Sequence, residues 1–284
     1  MRVRTLVSFS CTILALAVAP PLTANETSLP FVIHRGYSIV VRGSAGGIKG
    51  LKFIIDTGAV PSVVDTRLCR RLGLSGQPDQ VTVFARTVPT ERVVLPEVEL
   101  GPIHVDRVEA LGQDLSFIEK ALGERIDALI GLDVLGKTNF SIDYASRRLV
   151  FDPVMDASDV WSNLAEETSY ATIEVQLQGI PMRLMVDTGV RHVILFESRV
   201  QGLFPTDRIK GVNISSNLGG TVELKHIETP SATLGKTRLV VGSVFLLKTP
   251  EDLSLGIDGL LGVADLKPLR VDFNFERRAI GWRW

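Results

Sequence analysis

The chain has 284 residues, 45% hydrophobic and 22% charged, with a formal net charge of −1. That length accommodates one large domain or two ordinary ones, each with its own core, and the balance excludes a disordered chain or a strongly basic nucleic-acid surface. Val, Leu and Ile dominate the apolar content and Gly occurs 25 times, a mixture that favours many short strands joined by tight turns.

The N-terminus reads as a secretory signal peptide over residues 1–24. Arg2 and Arg4 precede an apolar stretch from Leu6 to Ala19, too short for a comfortable membrane span, and Ala24 offers a small residue at the cut. Export to the periplasm or beyond the cell is therefore expected. Cys11 leaves with the leader and Cys69 then stands alone, so no disulfide within the chain is available. Cys69 falls in Asp65–Gly73, a short helix with a capping residue at each end, where Leu68, Cys69 and Leu72 share a face. A buried structural thiol is expected there.

One pattern is written twice. Tyr37–Arg42 reads as a strand, a Gly46-Gly47 turn follows, and a second strand runs through Leu51 to Asp56-Thr57-Gly58. In the second half Tyr170–Leu177, Gly179 and a strand from Met182 to Asp187-Thr188-Gly189 repeat the order. Asp127-Ala128-Leu129-Ile130-Gly131 has its partner in Asp258-Gly259-Leu260-Leu261-Gly262. The last Gly follows the Asp of its triplet by 75 positions in both halves (131−56 and 262−187). Each half closes with a strand pair, Phe140–Tyr144 with Arg147–Phe151 and Leu269–Phe273 with Arg277–Trp282. One Asp-Thr-Gly is roughly a one-in-twenty event at this length; two in matched contexts are far rarer and indicate a duplicated domain. The expected division is 30–151 for the first lobe, 152–167 for a linker with a helical stretch near Asp159–Ala165, and 168–284 for the second lobe.

Two carboxylates brought together can share one proton, because like charges a few ångströms apart do not both ionise. One then takes a proton from water while the other polarises a carbonyl. In each triplet Gly permits a tight turn, and the Thr hydroxyl can bond across a two-fold interface. Other chemistries find no support. The histidines at 34, 104, 192 and 226 lack metal-ligand spacing, and neither a phosphate-cradling loop nor a Gly-x-Ser-x-Gly elbow is present. Glycoside hydrolysis also uses two carboxylates but gives no reason for a repeated triplet.

Asp56-Thr57-Gly58-Ala59, Asp187-Thr188-Gly189 and the two apolar-apolar-Gly strands resemble the aspartic protease superfamily of pepsin and retropepsin, and within it bacterial retropepsin-like proteins with two fused lobes. The resemblance covers residues 30 to 284. It implies an all-β, bilobal acid protease fold with a few short helices and an endopeptidase whose water is activated between Asp56 and Asp187, supported by Thr57, Gly58, Thr188 and Gly189. A shared proton is the established behaviour of that family's aspartates. The resemblance further implies no cofactor and no metal, an extended polypeptide as substrate, no nucleic acid, and a monomer.

It also implies a flap between Val81 and Val94, turning around Arg86–Thr90 with Pro89 near the tip, and places Phe84, Ala85, Arg86 and Thr87 over the substrate. In the second half Val212–Ser215 and Gly219–Leu224 read as another hairpin. Val190 stands where the family has Ala, Ser or Thr, an expected crowding of the second carboxylate, and neither flap holds a Tyr. Those two departures support the alternative of a catalytically inactive relative that binds peptides or acts as an adaptor. Arg191 and His192 are expected as exposed loop residues.

Overall fold

The computed structural model describes residues 28–83, 86–153, 158–166, 170–203, 209–217, 220–250 and 256–284. The expected leader lies outside them. Strands dominate, with four short α-helices among the described residues, so the chain is all-β, as expected.

Each half begins with a hairpin dictated by its turn. Ser38–Ala45 passes into Ile48–Ile55 through Gly46 and Gly47, at φ of 53° and 75°. Thr172–Leu177 passes into Ile180–Asp187 through Gln178 and Gly179, at 52° and 79°. Two successive positive φ angles suit the twist of the flanking strands. The second strand of each hairpin is buried on both faces at its end, over Phe53–Ile55 and Leu184–Asp187. Leu51, Phe53 and Ile55 enter the main core while Ile54 enters a separate cluster, and Leu184 and Val186 divide from Met185 in the same way. This explains why both strands end in apolar runs, Phe53–Ile55 and Leu184–Val186, rather than in alternations.

The apolar-apolar-Gly segments lie beside them in parallel. Ala128–Ile130 pairs with Ile48–Ile55, and Gly259–Gly262 with Ile180–Asp187. On its other side each pairs antiparallel with the strand leaving the triplet, Val63–Asp65 or Val193–Phe196. The strand entering each triplet and the strand leaving it are thus held apart by a third strand that begins 72 residues after the triplet's Asp (128−56 and 259−187). The same backbone clasp fixes both copies: Asp127 accepts from Lys52 N–H and Asp258 from Arg183 N–H, each at 2.9 Å and each across 75 residues.

An eight-stranded sheet uses residues 32–130 and a nine-stranded sheet residues 172–262. A third, six-stranded sheet belongs to both halves, in the order Ser28–Pro30, Arg148–Phe151, Phe140–Asp143, Arg270–Asn274, Ala279–Arg283, Val160–Asn163. At its centre Phe140 lies opposite Phe273, with rings stacked at 4.5 Å. Both belong to one continuous core shared by the two halves. Asp272 is fully buried beneath this sheet, accepting from Ser141, from Ser158 Oγ at 2.5 Å and from Arg270 Nε at 2.6 Å.

Two local expectations are corrected. The stretch 159–165 is not helical: Val160–Asn163 is the edge strand of the shared sheet, with Trp161 opposite Gly281. Ala279–Arg283 offers a free row of backbone groups, and satisfying them outweighs a seven-residue helix too short to stand by its own propensity. The first ribbon also turns earlier than expected. Gln77–Val83 pairs with Arg86–Leu100 as far as Val83 opposite Arg86, and Pro89 sits inside the strand opposite Gln80. The next strand, Ile103–Gln113, joins only from Glu91 onward, so at Pro89 one side of the strand is open and the missing N–H leaves no ladder bond unmade there.

The helix anticipated around Cys69 is present as Thr66–Arg71, with Asp65 accepting from Arg67 N–H as its N-cap. Cys69 is buried, and burial, reinforced by Asp65 and Glu91, pushes its thiol up to about 11. Such a thiol is a packing group and not a nucleophile.

Candidate active site

The two triplets meet at the junction of the halves. Thr57 N–H donates to Thr188 Oγ1 at 3.1 Å, and Thr188 N–H returns the bond to Thr57 Oγ1 at 3.1 Å. Each hydroxyl then donates across the junction to a strand carbonyl, Thr57 to Val186 at 2.7 Å and Thr188 to Ile55 at 2.8 Å. Both threonines are buried, so these bonds form where water cannot compete.

The same crossing brings the carboxylates together. Gly58 abuts Asp187 so closely that a Cβ there would stand 2.5 Å from the carboxyl carbon, and a Cβ on Gly189 would stand 2.7 Å from either oxygen of Asp56. Glycine is therefore required at both positions for the approach. Within each loop the carboxylate accepts from the Gly N–H, Asp56 at 3.0 Å and Asp187 at 2.7 Å. Asp187 is almost wholly buried and Asp56 half-buried, and the two carboxyls are within hydrogen-bonding reach of each other. Burial raises both above the usual carboxylate range, and the charge of Asp56 raises Asp187 further. The pair is thus built to keep a proton that isolated aspartates would release.

The sequence profile of the aspartyl protease family matches the chain twice, over residues 41–134 and 173–264. The chain belongs to the aspartyl protease family. Each match contains one triplet and one apolar-apolar-Gly strand, so this aspartyl protease family member carries its two repeats in one polypeptide. Comparison with individually curated proteins gives no match.

In this family member the Gly that ends each downstream strand has its own steric reason. A Cβ on Gly131 would lie 2.0 Å from Ala59 O, and one on Gly262 would lie 2.5 Å from His192 O. The loop after each triplet passes directly over that Gly and is fastened to it: Leu132 N–H donates to Ala59 O at 3.1 Å, and Gly262 N–H to His192 O at 3.2 Å.

Sequence reading missed how each loop is then latched to the short helix beyond. In the first repeat Ser62 donates to Asp133 from its backbone at 3.0 Å and from Oγ at 2.7 Å, while Gly131 N–H donates to Ser62 Oγ. In the second repeat the latch is His192 Nδ1 against Asp265 at 2.6 Å, joined by Arg191 Nε at 3.4 Å. The signal was available: an Asp follows each apolar-apolar-Gly strand within three residues. Arg191 is exposed as expected, but His192 is half-buried, its ring 5.0 Å from that of Phe245.

Val190 stands between Asp187 and an apolar cluster. Its N–H donates to Asp187, and its side chain packs against the apolar cluster of Met185, Ile194 and Phe196. The added bulk is absorbed by that cluster.

Of the ribbon residues anticipated over the substrate, Phe84 and Ala85 lie outside the described residues, as does the side chain of Arg86; Thr87 is exposed, paired with Thr82. The second hairpin is present as Ile209–Asn217 with Gly220–Ile227. Among the described residues one group of metal-type ligands is found, Glu97, His104 and Asp106. It lies at the Gly46–Gly47 end of the first repeat, where Glu97 accepts from Gly47 N–H, at the opposite end of Ile48–Ile55 from Asp56. It takes no part in the paired-carboxylate site.

Proposed function

We propose that this aspartyl protease family member is an aspartic endopeptidase that hydrolyses peptide bonds with a water activated between Asp56 and Asp187. The observation that carries the reading is the close approach of two carboxyls from equivalent loops, both raised by burial, with Asp187 raised further by its neighbour. In the proposed cycle the ionised member takes a proton from water and the protonated member donates a hydrogen bond to the scissile carbonyl oxygen. Water attacks the carbonyl carbon, a gem-diol forms, and a proton passes to the leaving nitrogen as the C–N bond breaks. Gly58 and Gly189 N–H each hold one oxygen of the carboxylate in their own loop, and the threonine crossing ties the two loops together.

The substrate in this reading is an extended polypeptide bound by strand addition beneath the ribbon Gln77–Leu100 and the hairpin Ile209–Ile227. Residues Phe84, Ala85, Arg86 and Thr87 would close over it. The apolar leader supports action outside the cytoplasm, in the periplasm or medium, by a monomer.

The test is digestion of a peptide library by the chain lacking residues 1–24, from acidic to neutral pH, with and without pepstatin, alongside Asp56→Asn and Asp187→Asn. Cleavage that pepstatin blocks and either substitution abolishes is the expected result. Cleavage that persists in either variant removes the dyad from the mechanism. A folded wild-type chain that binds peptides without cutting them establishes the inactive, peptide-binding reading instead.

A further inference from the structure

We infer that the first repeat carries a binding site for a compact multivalent oxyanion of the phosphate type, separate from the paired aspartates. The site is a concavity of about 210 Å³ whose charged lining is Lys49, Lys52, Arg71, Arg125 and Asp127. It lies along the first half of Ile48–Ile55, beside the C-terminal end of the helix Thr66–Arg71.

The charges do not cancel. Asp127 is occupied by Lys52 N–H and by Arg125 Nε at 3.4 Å. The Lys52 ammonium is paired with Glu124. Neither Lys49 nor Arg71 has an ion pair among the described residues. Two cations on separate elements, Lys49 and Arg71, therefore face one hollow with donors to spare. A guanidinium fork beside an ammonium matches the oxygens of a phosphate-type anion and gives charge-assisted bonds.

The duplication supplies an internal control. The equivalent positions are Pro181 for Lys49, by strand register across the bulge at Gly50, and, by a shift of 131 residues, Gly202 for Arg71 and Gly256 for Arg125, whereas Asp258 stands for Asp127 and Arg183 for Lys52. Asp258 makes the same backbone clasp as Asp127. The scaffold needs the Asp in both repeats, and a guanidinium pairs with it in each, Arg125 with Asp127 and Arg199 with Asp258; it does not need Lys49 and Arg71, whose equivalent positions carry no cation. A surface kept basic merely for solubility has no reason to concentrate them around one hollow.

The test is titration of the full chain with inorganic phosphate at constant ionic strength, followed by calorimetry and by Tm, with chloride as the control. Saturable binding with a rise in Tm is expected. Because Lys49 and Arg71 are exposed, the double variant Lys49→Gln, Arg71→Gln folds normally and should bind about tenfold or more weakly, the loss of a charge-assisted contact. Arg183→Gln in the other repeat, and Asp56→Asn at the paired aspartates, should leave binding unchanged. No saturable uptake, or equal uptake by the double variant, overturns the proposal. Vesicles of phosphatidylglycerol set against phosphatidylcholine separate the remaining source: binding to the anionic vesicles without uptake of free phosphate would replace the site with a membrane-facing surface.

Discussion

Ser141 and Asp272 stand opposite one another in the sheet shared by both repeats, their side chains hydrogen-bonded across 131 residues, the same separation that relates Thr57 to Thr188. One two-fold relation therefore runs from the floor of the molecule, where the chains of the two repeats pair as strands, to the site, where their acidic loops meet. The floor fixes the geometry of the site.

Removing Asp272 should expose how much depends on that floor. Asp272→Ala removes the buried acceptor shared by Ser141, Ser158 and Arg270, and each buried donor that loses it costs about 1–3 kcal/mol. Urea denaturation followed by tryptophan fluorescence measures it. Trp282 reports well, because it is fully buried in the same sheet, opposite Val271.

The threonine crossing should act as one unit. Thr57→Val and Thr188→Val each remove a hydroxyl and leave a buried N–H unpaired, which costs about 1–3 kcal/mol apiece. Because both substitutions break the same set of bonds, the double variant should lose less than the two losses combined. A double-mutant cycle on unfolding free energies checks this, and strict additivity would show that the two residues act independently.

Close approach of glycine to carboxylate should make activity far more sensitive than stability. Gly58→Ala and Gly189→Ala must push a carboxyl aside, and a displacement of about 1 Å costs on the order of 100-fold in rate. Gly112→Ala is the matched control, since a Cβ there meets its nearest neighbours at 3.5 Å, an ordinary contact. The readout is kcat/KM on one peptide for all three variants.

The pH dependence of stability follows from the direction of the shifts. Asp56 and Asp187 are raised in the folded chain above the ordinary 3.8 by burial, and Asp187 also by the charge beside it. The folded state thus holds protons that the unfolded state has released. The pair's stabilising contribution is complete below about 3.8 and declines as pH climbs through its folded titration. Asp187→Asn removes the share of that decline due to Asp187, so its Tm should gain on the wild type as pH rises from about 4 toward neutrality. Parallel Tm curves for the two proteins would contradict the shift.

Much of this architecture was legible in the sequence because it rests on local rules. Gly46-Gly47 and Gly179 specify tight turns, the runs before Asp56 and Asp187 specify buried strands, and Asp65 with Gly73 frames a helix around Cys69. The repeated triplet identified the paired carboxyls because duplication places equivalent residues about one axis. What escaped depends on partners distant in the chain. Nothing near Trp161 indicates that Ala279–Arg283 has an edge to fill, so a polar segment was read as helix. Pro89 was read as a turn because its acceptability in a strand depends on where Ile103–Gln113 begins to pair. The latches of Ser62 to Asp133 and of His192 to Asp265 differ between repeats, so the comparison that exposed the triplets could not reveal them.

Covalent linkage of the repeats has a consequence for dilution. A site assembled from two separate copies vanishes below their dissociation constant, where its rate falls with the square of concentration. Here the strand Phe140–Asp143 finds Arg270–Asn274 within its own chain, so turnover should remain first order in protein at any concentration. Freed from serving both sides of an axis, each half can also acquire features its twin lacks, as the lone Ser62 latch and the lone His192 latch already demonstrate.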